Sequence, residues 1–61
     1  MGKFEIRFSR DSRHFYFVLK AANGEIIATS EMYHSKAAAR KGIRSVRKNA
    51  IFSTIIDTLN D

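Results

Sequence analysis

Six cations crowd one short stretch: Lys36, Arg40, Lys41, Arg44, Arg47 and Lys48, with no acid anywhere from Ser35 to Ala50. Lys36, Arg40, Arg44 and Arg47 recur at spacings of four, four and three, which aligns them in one stripe if the stretch is helical. Such a stripe can grip phosphate groups, and each phosphate it neutralises makes binding fall with salt. The same row also suits a solvated outer face. Like charges four residues apart cost a helix roughly a few tenths of a kcal/mol each, so it gives up some stability to carry them. No aromatic side chain interleaves the stripe, so stacking on unpaired bases is not suggested.

Other chemistry is thin. The two histidines, His14 and His34, are far apart in sequence, and neither stands at the spacing of a metal site or beside a nucleophile. They read as surface or strand-end residues, and no metal or cofactor is expected. The serines fall at turns, caps and exposed faces, without a G-x-S-x-G setting. The glycines are Gly2, Gly24 and Gly42, too scattered for a phosphate-binding loop. A chain this short leaves little room for a pocket of the usual ~300 Å³ or more. An enzyme is not expected, and no small-molecule substrate is indicated.

Composition bounds the rest. The chain has 61 residues, read as a single domain over 1–61. A domain of this size buries only about 60% of its unfolded surface and usually needs a disulfide, a metal or a partner subunit. With no cysteine, a partner subunit is the supplement that remains. No apolar run approaches the ~20 residues of a membrane helix, so no membrane association is expected. The opening MGKFEIRF lacks an apolar signal core, which makes the cytoplasm the expected location. The net charge of +5 raises the expectation of an anionic partner, although charge alone also serves solubility.

The elements that must position these residues are legible. Phe4, Ile6 and Phe8 alternate with Lys3, Glu5 and Arg7, which predicts a half-buried strand over Lys3–Phe8. In the polar run from Ser9 to Arg13, Asp11 and Ser12 can bond their own backbone and close a loop. His14 to Lys20 is a second strand with apolar groups on both faces, hence central or with its second face partly covered. Asn23-Gly24 predicts a type I′ turn, and Glu25 to Ser30 returns as a third strand. Ser35 is placed to cap a helix from Lys36 to about Asn49, whose Ala39, Ile43, Val46 and Ala50 form one face, with small Ala38 and Gly42 beside it. Asn49 suits a left-handed C-cap. The expected core is Phe4, Ile6, Phe8, Phe15, Phe17, Leu19, Ile26, Ala28, Ala39, Ile43 and Val46. The tail, Ile51 to Leu59, is too apolar for a frayed end. Its β-branched run predicts a fourth strand over Phe52–Thr58, with a short helix as the alternative. That strand must fold back on its own sheet edge or reach another subunit.

Leu19 to Ala50 resembles the YegP-like family of small uncharacterised bacterial proteins. The resemblance is carried by KAANGE at Lys20–Glu25, IIATSE at Ile26–Glu31, Tyr33, SKAA at Ser35–Ala38, and Gly42, Ile43, Ser45, Val46, Asn49 and Ala50. Phe4-Glu5-Ile6 fits as well. It implies an α+β fold built as a β-β-β-α-β unit, an antiparallel sheet covered by one helix. It also implies a homodimer in which two units exchange C-terminal strands through Phe52, Thr54, Ile55, Ile56 and Thr58. It implies no activity and supplies no catalytic motif. Members often carry acids among the exposed helix positions, and this chain carries none. The first functional expectation is therefore a non-enzymatic dimeric interaction module; the alternative is binding of a nucleic-acid backbone through helix 36–48. A third route, reading of a DNA groove by the open sheet face of Lys3, Glu5, Arg7, His14, Tyr16, Val18 and Lys20 with Arg10 and Arg13, rests on fold analogy alone.

Overall fold

The computed structural model describes residues 1–58. Its elements are β1 (Lys3–Phe8), β2 (Phe15–Lys20), β3 (Ile26–Thr29) and α1 (Lys36–Ala50). The strands make one antiparallel sheet in the order β1-β2-β3, with β2 central as its doubly apolar pattern predicts. Because side chains alternate along a strand, the register sorts them into two faces. Phe4↔Leu19, Ile6↔Phe17 and Phe8↔Phe15 share one face; Lys3↔Lys20, Glu5↔Val18 and Arg7↔Tyr16 share the other. α1 lies across the first face, over β1 and β2.

The core is narrower than the pattern predicts. Phe17, Val18 and Ala39 are the buried apolar residues, while Phe4, Ile6, Phe15, Leu19 and Ile43 are half-buried. Phe8, Ile26, Ala28 and Val46 are exposed instead. The reason is the reach of one helix: α1 covers two strands and leaves all four residues of β3 uncovered. Val18, on the face away from α1, is buried between its cross-strand neighbours Glu5 and Thr29.

The hairpin turn is one residue longer than a type I′ turn. Gly24 N–H bonds Ala21 C=O (2.9 Å) and Ala21 N–H bonds Glu25 C=O (2.8 Å), enclosing a three-residue loop. Gly24 has φ +89°, whereas Asn23 stays out of the left-handed region and its side chain accepts from Glu25 N–H (3.0 Å). One left-handed residue after a β-turn makes this connection, so only the glycine is conformationally obligatory. The register then shifts between Leu19 and Lys20, leaving Ile27 as an extra residue on β3.

Beyond β3 the chain keeps following β2. The Ser30 hydroxyl takes the Phe17 N–H (2.8 Å), and Ser30 N–H returns to Phe17 C=O (2.9 Å). An isolated bridge then pairs Phe15 with Tyr33. Ser35 caps α1 as expected: its backbone is extended (φ −146°, ψ 158°) and its hydroxyl accepts from Ala38 N–H (3.0 Å). Asn49 is not a C-cap. The helix continues to Ala50 with Ile51 right-handed at its end, and the Asn49 amide donates back to Ser45 C=O (2.8 Å). The freed carbonyls of Asn49 and Ala50 go to the hydroxyl and N–H of Ser53.

Gly42 is where helix and sheet come closest. A Cβ added there would press on the Tyr33 hydroxyl, 2.8 Å from Tyr33 Cζ and 3.2 Å from Phe17 Cε2. The helix gives up about 1 kcal/mol of propensity at this glycine and gains the close approach.

The fourth strand does not form within the chain. Residues 53–58 have no regular secondary structure and are exposed. β-branched composition favours a strand but supplies no partner for its N–H and C=O groups, and here the segment pairs with neither edge of its own sheet. Leu59 lies outside the described residues. Among those described, no helix is long and apolar enough to cross a membrane.

Candidate functional site: basic helix and apolar tail

α1 sorts its residues by the 3.6-residue period. Ala39, Gly42 and Ile43 turn to the sheet, and Lys36, Arg40, Lys41, Arg44, Arg47 and Lys48 are all exposed. Their surroundings differ along the helix. Lys36, in the first turn, borders an apolar depression of about 260 Å³ formed with Ile6, Arg7, Phe8 and Phe15. Arg44, Arg47 and Lys48 gather with Ile51 around a shallow, open depression of about 520 Å³ at the other end. Arg47 and Lys48 also stand in the last turn, where cations are favoured by the negative end of the helix dipole. Part of the stripe thus has a structural reason to be there. The open sheet face carries the ion pairs of Glu5 with Arg7 and Lys20.

The tail is the larger anomaly. Ile51 is 73% exposed, Phe52 92%, Ile55 93% and Ile56 80%. Thr54 and Thr58 are exposed beside them. Ile26 and Ile27 on β3 and Phe8 on β1 add to this apolar surface. The Cα radius of gyration is 13.4 Å, against about 10.5 Å for a compact chain of this length. The apolar run of the tail is plain in the sequence, but the exposure of β3 is not, because alternation cannot say how many strands one helix will cover.

The open sheet face is less basic than its sequence. Glu5 sits between Lys20 (3.1 Å to Nζ) and Arg7 (3.0 Å to Nη2), tying up two of the cations a DNA groove would need. The hydrogen bond from Lys20, then that from Arg7, holds the Glu5 carboxyl below its usual range. The unfolded chain then binds a proton at Glu5 more readily than the folded one. The stabilisation is present above about pH 4.5, the ordinary value, and is lost as pH falls through the lower folded value. Urea midpoints measured from pH 7 down to pH 3 should therefore fall, and Glu5→Gln should flatten part of that slope. An unchanged slope in the variant would remove Glu5 as a contributor. Asp11 contributes in the same sense, its carboxyl lowered by the Ser9 hydroxyl and the Arg13 N–H.

His14 and His34, distant in sequence, are neighbours: their ring centroids are 5.3 Å apart. Asp11 Oδ2 lies 3.7 Å from His14 Nδ1. The Phe15–Tyr33 bridge brings the rings together, and a bridge outside the regular strands leaves no periodic signal.

Residues 11–57 match the family model described as Domain of unknown function (DUF1508). The chain is 63% identical over 49 residues to the UPF0339 protein YegP of Escherichia coli O157:H7, covering 80% of this chain and 44% of that protein. It is 52% identical over 56 residues to a UPF0339 protein of Treponema denticola, covering 92% of this chain and 95% of that one. The chain thus spans under half the length of the YegP relative and nearly all of the Treponema one. Among solved structures, a protein from Haloferax volcanii superposes with a TM-score of 0.82 at 33% identity, covering 93% of this chain and 95% of that one. Protein ATU0232 from Agrobacterium tumefaciens does so with 0.76 at 37%, covering 93% and 90%.

Proposed function

The chain belongs to the DUF1508 family, and on that premise we propose that it is a small non-enzymatic interaction module that works as a homodimer. Two copies exchange their C-terminal segments, using Phe52, Thr54, Ile55, Ile56 and Thr58. The observation that carries this reading is the exposed tail: Phe52, Ile55 and Ile56 stand at 92%, 93% and 80% exposure in a chain whose buried apolar residues are Phe17, Val18 and Ala39. Apolar burial is worth about 25 cal/mol per Å², so these side chains are the largest unused stabilisation in the molecule. A strand needs an edge, and a second copy brings one. Shallow, open depressions on the surface suit a module that meets a macromolecule more than one that encloses a substrate. Light scattering of the full chain at micromolar concentration tests the dimer: twice the chain mass is expected, and a monomer overturns it.

A second reading has its own observation. Lys36, Arg40, Lys41, Arg44, Arg47 and Lys48 are exposed on a helix with no acid to answer them, which suits the backbone of a nucleic acid in the same cytoplasmic setting. Fluorescence anisotropy with labelled duplex DNA and RNA tests it. A surface contacting six or more phosphates should lose ~10³-fold or more in affinity between about 50 mM and 200 mM salt. Replacing Arg40, Arg44 and Arg47 by Glu should abolish binding, and unchanged affinity in that variant overturns the reading.

A further inference from the structure

We propose that His14 and His34 form a two-imidazole chelate for a divalent late first-row transition-metal ion. The argument starts in the backbone. Phe15 N–H bonds Tyr33 C=O (2.8 Å) and Tyr33 N–H bonds Phe15 C=O (2.6 Å), so these two residues are a hydrogen-bonded antiparallel pair. The next residues outward, His14 and His34, stand opposite each other as a non-hydrogen-bonded pair. There the strands come closest, about 4.5 Å between Cα atoms, and side chains share a face. The rings accordingly lie 5.3 Å apart at 50°. A metal sits about 2.1 Å from each imidazole nitrogen, so two rings on one ion at a roughly right-angled to tetrahedral bite have centroids about 5 Å apart. The separation of the two rings is therefore already that of two imidazoles on one ion.

The backbone that carries one ring is held at both of its polar groups. His14 C=O accepts from Ser9 N–H (2.9 Å), and the His14 backbone N–H donates to the Ser9 hydroxyl (3.2 Å). Asp11, steadied by the Ser9 hydroxyl and by Arg13 N–H (2.9 Å), faces Nδ1 of His14. At 3.7 Å the carboxylate is beyond hydrogen-bond distance of Nδ1 but near enough to become the outer partner that metal-binding histidines commonly have, which would leave Nε2 for the ion. Ser12, at φ +58°, makes the loop tight enough to set Asp11 there. Beside His14 an open depression of about 400 Å³, bordered also by Ser9, Arg10, Asp11 and Met32 but not by His34, lets water reach that ring. Among the described residues no group of three or more His, Cys, Asp and Glu side chains gathers to hold a metal, so water completes the coordination and the ion exchanges readily. Arg10, at the same rim, works against the ion. Imidazole softness favours nickel, copper or zinc over magnesium or calcium.

The test is a titration of the full chain with Ni²⁺ at pH 7.5, followed by NMR of the imidazole ring protons and by calorimetry. The chain has only two histidines, so their signals cannot be confused with others. Both rings should broaden together at one ion per chain. His14→Ala and His34→Gln should each weaken binding at least tenfold while amide spectra remain those of the folded chain. Lowering the pH to 5 should release the ion from the unmodified protein, since a metal competes with protons for the imidazole. Broadening of one ring alone, or affinity unchanged in either variant, overturns the proposal. Should a variant fail to fold, the joint broadening of the two rings in the unmodified chain decides it.

Discussion

Replacing Ile55 and Ile56 together by Asp is expected to leave a monomer at concentrations where the proposed dimer of the unmodified chain assembles. In the single chain both side chains are almost fully in water, so their loss cannot disturb its own core. Neighbouring residues point to opposite faces of a strand, so in any register one of the two lands on the helix-covered side of the sheet it joins. Burying one such side chain is worth about 1.5–3 kcal/mol, and a symmetric exchange does it twice. The dissociation constant should rise at least ~10²-fold, more once the buried carboxylate is counted. Sedimentation or light scattering reads the mass. Thermal melts add a second measure: the midpoint of the unmodified chain should climb with protein concentration and that of the variant should not. A variant of unchanged mass would exclude the tail from the interface.

Phe17→Ala is expected to unfold most of the molecules at room temperature. Phe17 is 6% exposed and packs edge-on against Phe4 (centroids 5.8 Å, 73°) and nearly parallel to Tyr33 (6.0 Å, 17°), under the gap that Gly42 leaves. Its backbone binds Ser30 on one side and its side chain meets the helix on the other, so one residue joins all layers of the fold. Removing a buried Phe costs about 3–5 kcal/mol, comparable with the roughly 3–9 kcal/mol a chain of this length can possess. Far-ultraviolet circular dichroism should lose its cooperative melt. A variant that melts within a few degrees of the unmodified chain would mean that Phe17 is not the centre of the core.

What the sequence discloses here follows from the range of the interactions involved. The strand over Lys3–Phe8 and the Ser35 cap are local, decided within a few residues, and both match the structure. Of the expected helical face Ala39, Ile43, Val46 and Ala50, only Ala39 and Ile43 turn to the sheet, with Gly42 beside them; Val46 and Ala50 are exposed, as is Phe8 at the end of β1. Asn23-Gly24 announced a turn, but the number of left-handed residues depended on the pairing of Ala21 with Glu25, so its type was misjudged. The exposure of Ile26 and Ala28 depends on where one helix comes to rest, which no strand pattern encodes. The basic stripe was plain from spacing, whereas its partition towards two ends of α1 required the sheet and the tail beneath it. The His14–His34 pair leaves no periodic signal, because nineteen residues lie between rings that a single bridge brings together.

The short turn at the end of α1, tied by Ser53 to the carbonyls of Asn49 and Ala50, has a consequence for symmetry. Each chain carries both an exposed apolar segment and, among the described residues, a sheet whose β1 and β3 edges take no further strand. In the proposed exchange, if two copies give and receive in return, a twofold axis closes the assembly. If each gives to a third, the same contact repeats without end and builds a filament. The direction in which the Ser53 turn sends the segment off would then select between closure and growth. Lengthening that turn by a few flexible residues would relax the selection, and the first sign would be open-ended oligomers in place of a single species.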